Sequence, residues 1–364
     1  MKRIFAVLVA CVLCICLVAG CAGSGSYTSY ASKSLNKSLN DSVLTKIGDY
    51  KITQAYYNFI YNLLYSQMAQ YEQFYGPEWM DMEIEDGKTI GSYIKENTQI
   101  QIEQLAAASI IAKDKYGIKA NGDVRKAVEK QKKEIYESYG SKQTFEDFLT
   151  SSHTSESAIN TYLELYEIYT RLVDEISEKG EECYIPEKEL EEGFNEEYKD
   201  KLRVQHILIS TQESESAPAR TDEEALAIVN EVLAKLSKGE DFDSLIDEYD
   251  EDPGMTAGNY YTFGEGEMVP EFEQASKDLQ IGEYTKGAVK TSYGYHIIKR
   301  YEIDTDTDEF VNYKNMKVQD KLTDVLEKQV EKSKIKWDTK AINKYLKEWE
   351  KERAASKEEA TPAE

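Results

Sequence analysis

The sequence predicts an α+β protein in which a small sheet-containing domain interrupts a longer, mostly helical region. In residues 201–302, strand-like runs and helical patterns follow one another in the order strand, helices, strand, helix, strands, which is typical of this class. Residues 43–200 carry apolar side chains at helical spacing, and the same spacing returns over residues 303–353. The second helical segment is too small to form a core alone, so we expect it to pack on the first.

The chain begins with a targeting signal rather than with folded structure. Lys2 and Arg3 precede an apolar run, residues 4–16, that is too short to span a bilayer comfortably. Residues 18–21 resemble the lipobox of bacterial lipoproteins, because small residues stand directly before Cys21. We therefore predict a lipoprotein signal peptide over residues 1–20 and lipid attachment at Cys21. The alternative is an ordinary signal peptide with a cysteine nearby by chance.

A flexible tether is predicted over residues 21–42, which are rich in Ser, Gly, Asn and Lys after the lipidated cysteine. Two or more acyl chains would hold the protein stably at a membrane surface. Residues 354–364 are predicted to be a disordered tail.

Net charge and cysteine content limit the classes of function. The formal charge of −24 disfavours nucleic acid and anionic lipid headgroups as partners, and it suits either basic clients or simple solubility. Once the signal is removed, the cysteines that remain are Cys21 and Cys183, so no intramolecular disulfide is expected. Neither belongs to a metal-ligand cluster, and we predict no metal and no cofactor.

The helical region is predicted element by element. A short strand at residues 43–46 and a turn at Gly48-Asp49 precede a helix capped by Thr53. The strongest helix spans residues 90–116 and ends at Gly117. Further helices are predicted at residues 123–138, 144–150 and 156–179, and one opens at Pro186 and runs toward Tyr198. His153 lies among serines and threonines, which predicts an exposed loop.

The sheet-containing domain is predicted to begin with a strand at residues 203–210 that is apolar on both faces. Thr221 and Glu224 form a capping box for the next helix, which ends near Leu236. The remaining elements are a short helix at 241–249, a strand at 260–263, a helix at 271–279 and a strand at 295–301. Two of the three histidines of the chain, His206 and His296, lie in the first and last strands.

Several separated motifs in this domain occur in a recognisable order. They are His206-Ile207-Leu208, Gly239-Glu240-Asp241-Phe242, Met268-Val269-Pro270-Glu271-Phe272, Gly282-Glu283 and Gly294-Tyr295-His296-Ile297-Ile298. Residues 201–302 resemble a parvulin-type peptidyl-prolyl isomerase domain. With the lipobox and the helical flanks, the whole chain resembles the PrsA-like foldase lipoproteins of Gram-positive bacteria.

The resemblance implies a small antiparallel sheet with surrounding helices, flanked by a chaperone-like helical domain. It implies that His206 and His296 are central residues of the site and form a hydrogen-bonded pair. It places Asp252 beside the prolyl bond as the acidic residue of the site. It further implies a proline pocket, with Tyr260 where a leucine is usual; the pocket residues are Met268, Phe272, Phe263 and Tyr260.

These residue types suit rotation about an X-Pro amide, which is opposed by ~18–20 kcal/mol of resonance energy. The reaction breaks no bond, so an enzyme need only bind the twisted amide better than the planar one. The resemblance thus implies a lipid-anchored foldase on the extracytoplasmic face of the membrane. Its expected partners are unfolded or newly translocated secreted proteins, with no nucleic acid, and its helical domain is a candidate dimerisation surface.

Two alternatives remain open at this point. The family's usual residues are missing at Ala257-Gly258, at Lys277 and around Gly287-Ala288, which favours a chaperone or holdase with a degenerate isomerase domain. A solute-binding lipoprotein would also fit the anchor, but the chain lacks a two-lobe α/β pattern.

Overall fold

The computed structural model describes residues 42–360 except residues 70, 77, 86 and 214–218. These residues form two compact units. One unit, the sheet unit, runs from Pro186 to Asn315, and the other, the helical unit, comprises the chain on both sides of it. The predicted signal peptide, Cys21 and the tether up to residue 41 lie outside the described residues.

The first part of the helical unit is a β-hairpin followed by a series of helices. Its elements are β1 (Val43–Ile47), β2 (Tyr50–Thr53), α1 (Gln54–Met68), α2 (Tyr71–Tyr75), a 3₁₀ turn (Trp79–Asp81), β3 (Glu83–Glu85), β4 (Lys88–Thr89), α3 (Ile90–Tyr116), α4 (Gly122–Ser138), α5 (Lys142–Ser151) and α6 (Glu156–Ile176). Side-chain caps explain several helix starts, since Thr53 accepts a hydrogen bond from the Tyr56 N–H and Asn121 accepts from the Val124 N–H. Gly117 ends α3 in the left-handed conformation, at φ 71°.

The sheet unit alternates helices and strands. Its elements are α7 (Glu187–Tyr198), β5 (Leu202–Ser210), α8 (Asp222–Ser237), α9 (Phe242–Tyr249), β6 (Tyr261–Phe263), α10 (Pro270–Asp278), β7 (Val289–Lys290) and β8 (Gly294–Tyr301). The chain ends with α11 (Asp308–Ser333) and α12 (Thr339–Ala360). Among the described residues no helix is both long enough and apolar enough to cross a membrane.

The sheet has four strands in the order β6-β5-β8-β7, and each neighbouring pair is antiparallel. One face packs against α8 and α9, through a core that includes Ile207, Val229 and Ile297. The other face packs against α10, through a core that includes Val204, Phe272 and Ile298. Successive residues of β5 alternate between these faces, so both are apolar, as the sequence predicts. The predicted α+β class is confirmed.

The N- and C-terminal segments share one core in the helical unit. Residues of α1, α3 and α6 bury their side chains together with those of α11 and α12, including Leu322, Ile342 and Trp349. The Asp338 N–H donates to the Leu44 carbonyl oxygen at 2.9 Å, and Trp337 Nε1 donates to Glu103 Oε1 at 2.6 Å. The prediction that a helical domain is built from both ends of the chain is therefore confirmed.

His153 differs from the sequence prediction, because it is buried rather than exposed, with only 8% of its surface accessible. Its backbone has a φ of 47°, and its carbonyl oxygen accepts a hydrogen bond from Asn58 Nδ2 at 2.7 Å. Its ring packs edge-on against Tyr345 with the centroids 5.9 Å apart. Contacts with residues far away in the sequence thus decide its burial.

Some boundaries also differ from the sequence prediction. The sequence predicts that residues 186–200 belong to the helical domain and residues 303–315 to the C-terminal helical segment, but both clusters of residues belong to the sheet unit. The reason is aromatic packing, since Phe194 of α7 contacts Phe310 and Tyr313 with ring centroids 5.2 and 5.6 Å apart. Helix α12 continues to Ala360, so the tail predicted to be disordered from residue 354 begins within a helix rich in Ala, Lys and Glu.

Candidate active site

Strands β5 and β8 bring the two predicted histidines together. His206 pairs with Ile298, and His296 pairs with Leu208, which makes the histidines diagonal neighbours on the α10 face of the sheet. Their ring centroids lie 5.1 Å apart. Both side chains are buried, so the pair forms an interior group of the sheet unit.

The expected hydrogen bond between the two histidines is not formed, and this prediction was wrong. His206 Nε2 donates to Asp252 Oδ2 at 2.9 Å, while His296 Nε2 shares a hydrogen bond with the Thr291 hydroxyl at 2.8 Å. The Nδ1 atoms of both rings have no hydrogen-bond partner among the described residues. Both rings direct Nε2 to an oxygen outside the pair, and they face each other as tilted rings with an interplanar angle of 45°.

Asp252 is held by three donors. His206 Nε2 and Tyr261 Oη donate to Oδ2 at 2.9 and 3.0 Å, and the Gly254 N–H donates to Oδ1 at 2.8 Å. The hydrogen bond from His206, supported by those from Gly254 and Tyr261 and opposed by burial, lowers the pKa of Asp252 to about 2. Asp252 is therefore ionised at neutral pH, and His206 Nε2 must carry a hydrogen because a carboxylate only accepts.

Strand β6 pairs only with residues 202–204 of β5, and the chain around Asp252 is fixed to the same strand further along, at Leu208 and Ser210. Asp250 Oδ1 accepts from the Leu208 N–H at 2.7 Å, and the Glu251 N–H donates to the Leu208 carbonyl oxygen at 3.0 Å. Glu251 Oε2 accepts from the Ser210 N–H at 2.8 Å. Burial raises the pKa of Asp250 to about 6. Asp250 and Glu251 therefore supply hydrogen-bond partners for backbone groups of β5 that β6 does not pair with, and they position Asp252 at the same time.

His296 is neutral at pH 7. Burial, and after it the neighbouring His206, lowers its pKa to about 4. Its Nε2 shares a hydrogen bond with a threonine hydroxyl, and its Nδ1 has no hydrogen-bond partner among the described residues. A neutral ring in this position supports the packing of the site and does not act as an acid at pH 7.

Three of the predicted pocket residues lie together beside the histidines. The Phe272 ring meets His206 and His296 edge-on, with centroid distances of 5.2 and 5.3 Å. Phe263 lies 6.0 Å from Phe272, and Met268 is partly buried against the same core. An apolar wall therefore stands next to the ionised Asp252.

Tyr260 does not join this group. Its ring lies under the Arg203 guanidinium at 3.4 Å and packs edge-on against Tyr301 at 4.9 Å. Alternation along the strand explains the difference, because Tyr261 and Phe263 share the α10 face and Tyr260 precedes them on the opposite side. The structure thus brings Tyr261, and not Tyr260, to Asp252.

Sequence reasoning missed two residues of the site, Tyr261 and Thr291. A period-two reading from Phe263 would have placed Tyr261 on the histidine side of the sheet. Thr291 begins the turn before β8, and its hydroxyl also accepts from the Tyr293 N–H at 3.1 Å. No pattern in the sequence predicts that the Thr291 hydroxyl lies within hydrogen-bonding distance of His296.

Taken together, the site joins an ionised carboxylate to an apolar wall on one face of the sheet. Comparison with known proteins gives the class to which such a domain belongs. Residues 192–303 match the family model of the PPIC-type PPIase domain.

Similarity to curated proteins shows the family. The chain is 30% identical to foldase protein PrsA 1 of Listeria monocytogenes over 227 residues, which cover 61% of this chain and 67% of that protein. It is 43% identical to foldase protein PrsA of Geobacillus kaustophilus over 121 residues, which cover 33% of this chain and 37% of that protein. The chain belongs to the PrsA family of foldase proteins.

The extent of these similarities varies. The chain spans about half the length of the first curated relatives it matches, with 37%, 59% and 46% of their lengths covered. The crystal structure of PrsA from Bacillus subtilis is similar at 25% identity, covering 68% of this chain and 87% of that chain, with a TM-score of 0.33.

Proposed function

We propose that this protein is a membrane-anchored extracytoplasmic foldase that catalyses cis–trans isomerisation of X-Pro bonds in secreted proteins. Membership of the PrsA family and the match to the PPIC-type PPIase domain support this activity. The observation that carries the proposal is the ionised Asp252 held beside the apolar wall of Phe272, Phe263 and Met268.

In this proposal the apolar wall binds the proline ring, and the carboxylate lies near the oxygen of the amide carbonyl. A planar amide is polarised, with negative charge on its oxygen, and rotation removes this polarisation. A fixed negative charge near that oxygen raises the energy of the planar form more than that of the twisted form. Preferential stabilisation of the twisted amide is what accelerates the rotation.

The histidines organise the site in this proposal. His206 fixes the Asp252 carboxylate through its Nε2 hydrogen bond, and Phe272 packs on both histidine rings. No covalent bond is made or broken, so neither histidine transfers a proton and the reaction requires no cofactor.

The anchored location rests on sequence features. The lipobox before Cys21 and the polar tether after it support attachment to the outer face of the cell membrane, where newly translocated proteins emerge. Incorporation of labelled fatty acid into the wild type, and its loss in Cys21→Ala with release of the protein from membranes, is the expected result. Equal labelling of the two forms would contradict anchoring at Cys21.

Isomerase activity is best tested on the mature full chain with a prolyl tetrapeptide. We expect Asp252→Ala to lower kcat/KM by about 10²-fold, because it removes a preorganised charge from the reacting amide. Asp247→Ala is the matched control, since Asp247 is an exposed carboxylate on the neighbouring helix α9. No wild-type activity above the uncatalysed rate would refute the enzymatic function.

A chaperone or holdase without catalysis is the second candidate. Apolar side chains exposed on the helical unit favour it, notably Phe74, Tyr75 and Ile84, which are 78%, 55% and 48% exposed. The two functions separate in one experiment that compares wild type and Asp252→Ala for suppression of client aggregation. Full suppression by the variant, together with an inactive wild type in the peptide assay, would favour the holdase.

A further inference from the structure

Tyr261 is a residue of the site that neither the motif pattern nor the family match points to. It lies on β6 opposite Val204, and its ring meets His206 edge-on with the centroids 5.4 Å apart. Its hydroxyl donates to Asp252 Oδ2 at 3.0 Å. The side chain is partly buried against the cores on both faces of the sheet, so its position is well defined.

The Tyr261 hydroxyl donates its hydrogen bond to Asp252 at every pH of interest. Burial, and after it the charge of Asp252, raises the pKa of Tyr261 to about 12, so the phenol keeps its proton throughout the range in which proteins are assayed. Asp252 Oδ2 therefore accepts two side-chain hydrogen bonds, from His206 and from Tyr261. Two donors on one oxygen fix the direction of a carboxylate more strictly than one.

Gly254 makes this contact possible. A Cβ atom at residue 254 would lie 2.3 Å from the Tyr261 hydroxyl oxygen and 3.3 Å from Asp252 Oδ1. The absence of a side chain at Gly254 thus leaves room for the phenol to reach the carboxylate. The contact between the turn at Gly254 and the Tyr261 hydroxyl is therefore an observation separate from the hydrogen bond between His206 and Asp252.

We propose that Tyr261 is a positioning residue for prolyl isomerisation, holding the Asp252 carboxylate in the orientation that faces the substrate amide. The proposal rests on the proposed function and adds to it a residue that acts through Asp252 without touching the substrate. The titratable groups around Asp252 are His206 on β5, His296 on β8, Tyr261 on β6 and Asp250 in its own loop.

The test compares Tyr261→Phe with wild type in the mature full chain. We expect kcat for a prolyl tetrapeptide to fall about tenfold with KM nearly unchanged, because one hydrogen bond to a charged group is lost and no substrate contact is removed. The Asp252 pKa should rise from about 2 toward its ordinary value, measured by NMR titration of the carboxyl carbon assigned with Asp252→Asn. A purely structural role of Tyr261 would not move this pKa.

The matched control is Tyr249→Phe, which removes an exposed hydroxyl that donates to Glu231 Oε1 at 2.7 Å. It should leave both kcat and the Asp252 pKa unchanged. If Tyr261→Phe folds poorly, Gly254→Ala gives the second test. It retains the backbone N–H to Asp252, and its added Cβ, 2.3 Å from the phenol oxygen, displaces Tyr261 more than it crowds Asp252 Oδ1 at 3.3 Å. It should produce the same fall in kcat and the same rise in the Asp252 pKa.

The outcomes are distinguishable. An unchanged Asp252 pKa in Tyr261→Phe overturns the contact, and an unchanged kcat in an active enzyme overturns the positioning role. An inactive wild type overturns the proposed function and with it the positioning role, while the carboxyl titration still decides whether the hydroxyl holds Asp252.

Discussion

The buried His296 and the partly buried Asp250, both near Asp252, respond to acid in opposite directions. The pKa of His296 is lowered to about 4, mainly by burial, so its contribution to stability is present above its ordinary value of 6.5 and is lost as the pH falls toward 4. The pKa of Asp250 is raised from 3.8 to about 6, also mainly by burial, so its contribution is present below 3.8 and is lost as the pH rises through 6. Between pH 6.5 and 4 the two effects oppose each other.

Single substitutions should reveal this compensation. We expect the free energy of unfolding of the sheet unit to change little between pH 6.5 and 4 in the wild type. His296→Gln should become more stable on acidification, because the Asp250 effect remains alone, and Asp250→Asn should become less stable. Urea unfolding at several pH values, followed by hydrogen exchange of β5 and β8, measures both slopes. Parallel slopes in the two variants would contradict the assignment.

At the same scale, the motif order in the sequence predicted that His206, His296, Asp252 and Phe272 belong to one site. The structure brings their side chains together, and their roles in the reaction stay a prediction. The motif order was not enough to choose between Tyr260 and Tyr261, because the choice depends on which side of β6 faces the histidines. His153 was misjudged for a related reason. Its burial depends on Asn58 and Tyr345, which are remote in the sequence and carry no local signal.

At the scale of elements, the start of β8 depends on close contact with β5 at Gly294. Its φ is 148°, and a Cβ there would lie 2.3 Å from the Ile209 carbonyl oxygen, opposite Ser210 in the register. A side chain at this position would force apart the longest strand pair of the sheet, which carries both histidines.

Gly294→Ala should therefore destabilise the sheet unit by ~3 kcal/mol or more, since it combines backbone strain with a backbone clash. Gly287→Ala is the control, because no atom lies within 4 Å of its added Cβ and its φ is not in the left-handed region. Urea unfolding of the two variants measures the difference. Equal stability of Gly294→Ala and wild type would show that the strands shift at no cost.

The elements that the sequence predicted well are those with a local chemical signal. Thr53 caps α1, and Thr221 with Glu224 forms a capping box on α8, as predicted from residue type and spacing. The elements missed were short, namely β2, α2, the hairpin β3–β4 and the two-residue strand β7. Strands of two or three residues show no period, so only their partners define them.

At the scale of the whole molecule, the helical unit is discontinuous in sequence. Its core combines residues before Pro186 with residues after Asn315, so neither segment buries its apolar surface without the other. The sequence predicted this arrangement because the C-terminal segment has an apolar helical face but too few residues for a core. The unit boundaries were harder to predict, because α7 contacts residues 310 and 313 through aromatic rings that no local pattern connects.

Substitution of Trp349 tests whether the C-terminal segment stabilises the core of the helical unit. It is 9% exposed on α12, and its ring packs edge-on against Tyr61 and Tyr65 of α1 with centroids 5.3 and 4.9 Å apart. Trp349→Ala should lower the free energy of unfolding of the helical unit by ~3–5 kcal/mol, as for other buried aromatic residues. Lys347→Ala, exposed on the same helix, should have little effect.

Hydrogen exchange measured by mass spectrometry should show faster exchange in α1, α3 and α12 of Trp349→Ala, and unchanged exchange in β5 and β8. Isomerisation of a tetrapeptide should persist in this variant, because Asp252 and the apolar wall belong to the sheet unit. Suppression of client aggregation should fall if the helical unit binds clients. Uniform loss of protection across both units would instead mean that the whole chain unfolds as one cooperative body, and it would contradict the expectation that Trp349 stabilises the helical unit alone.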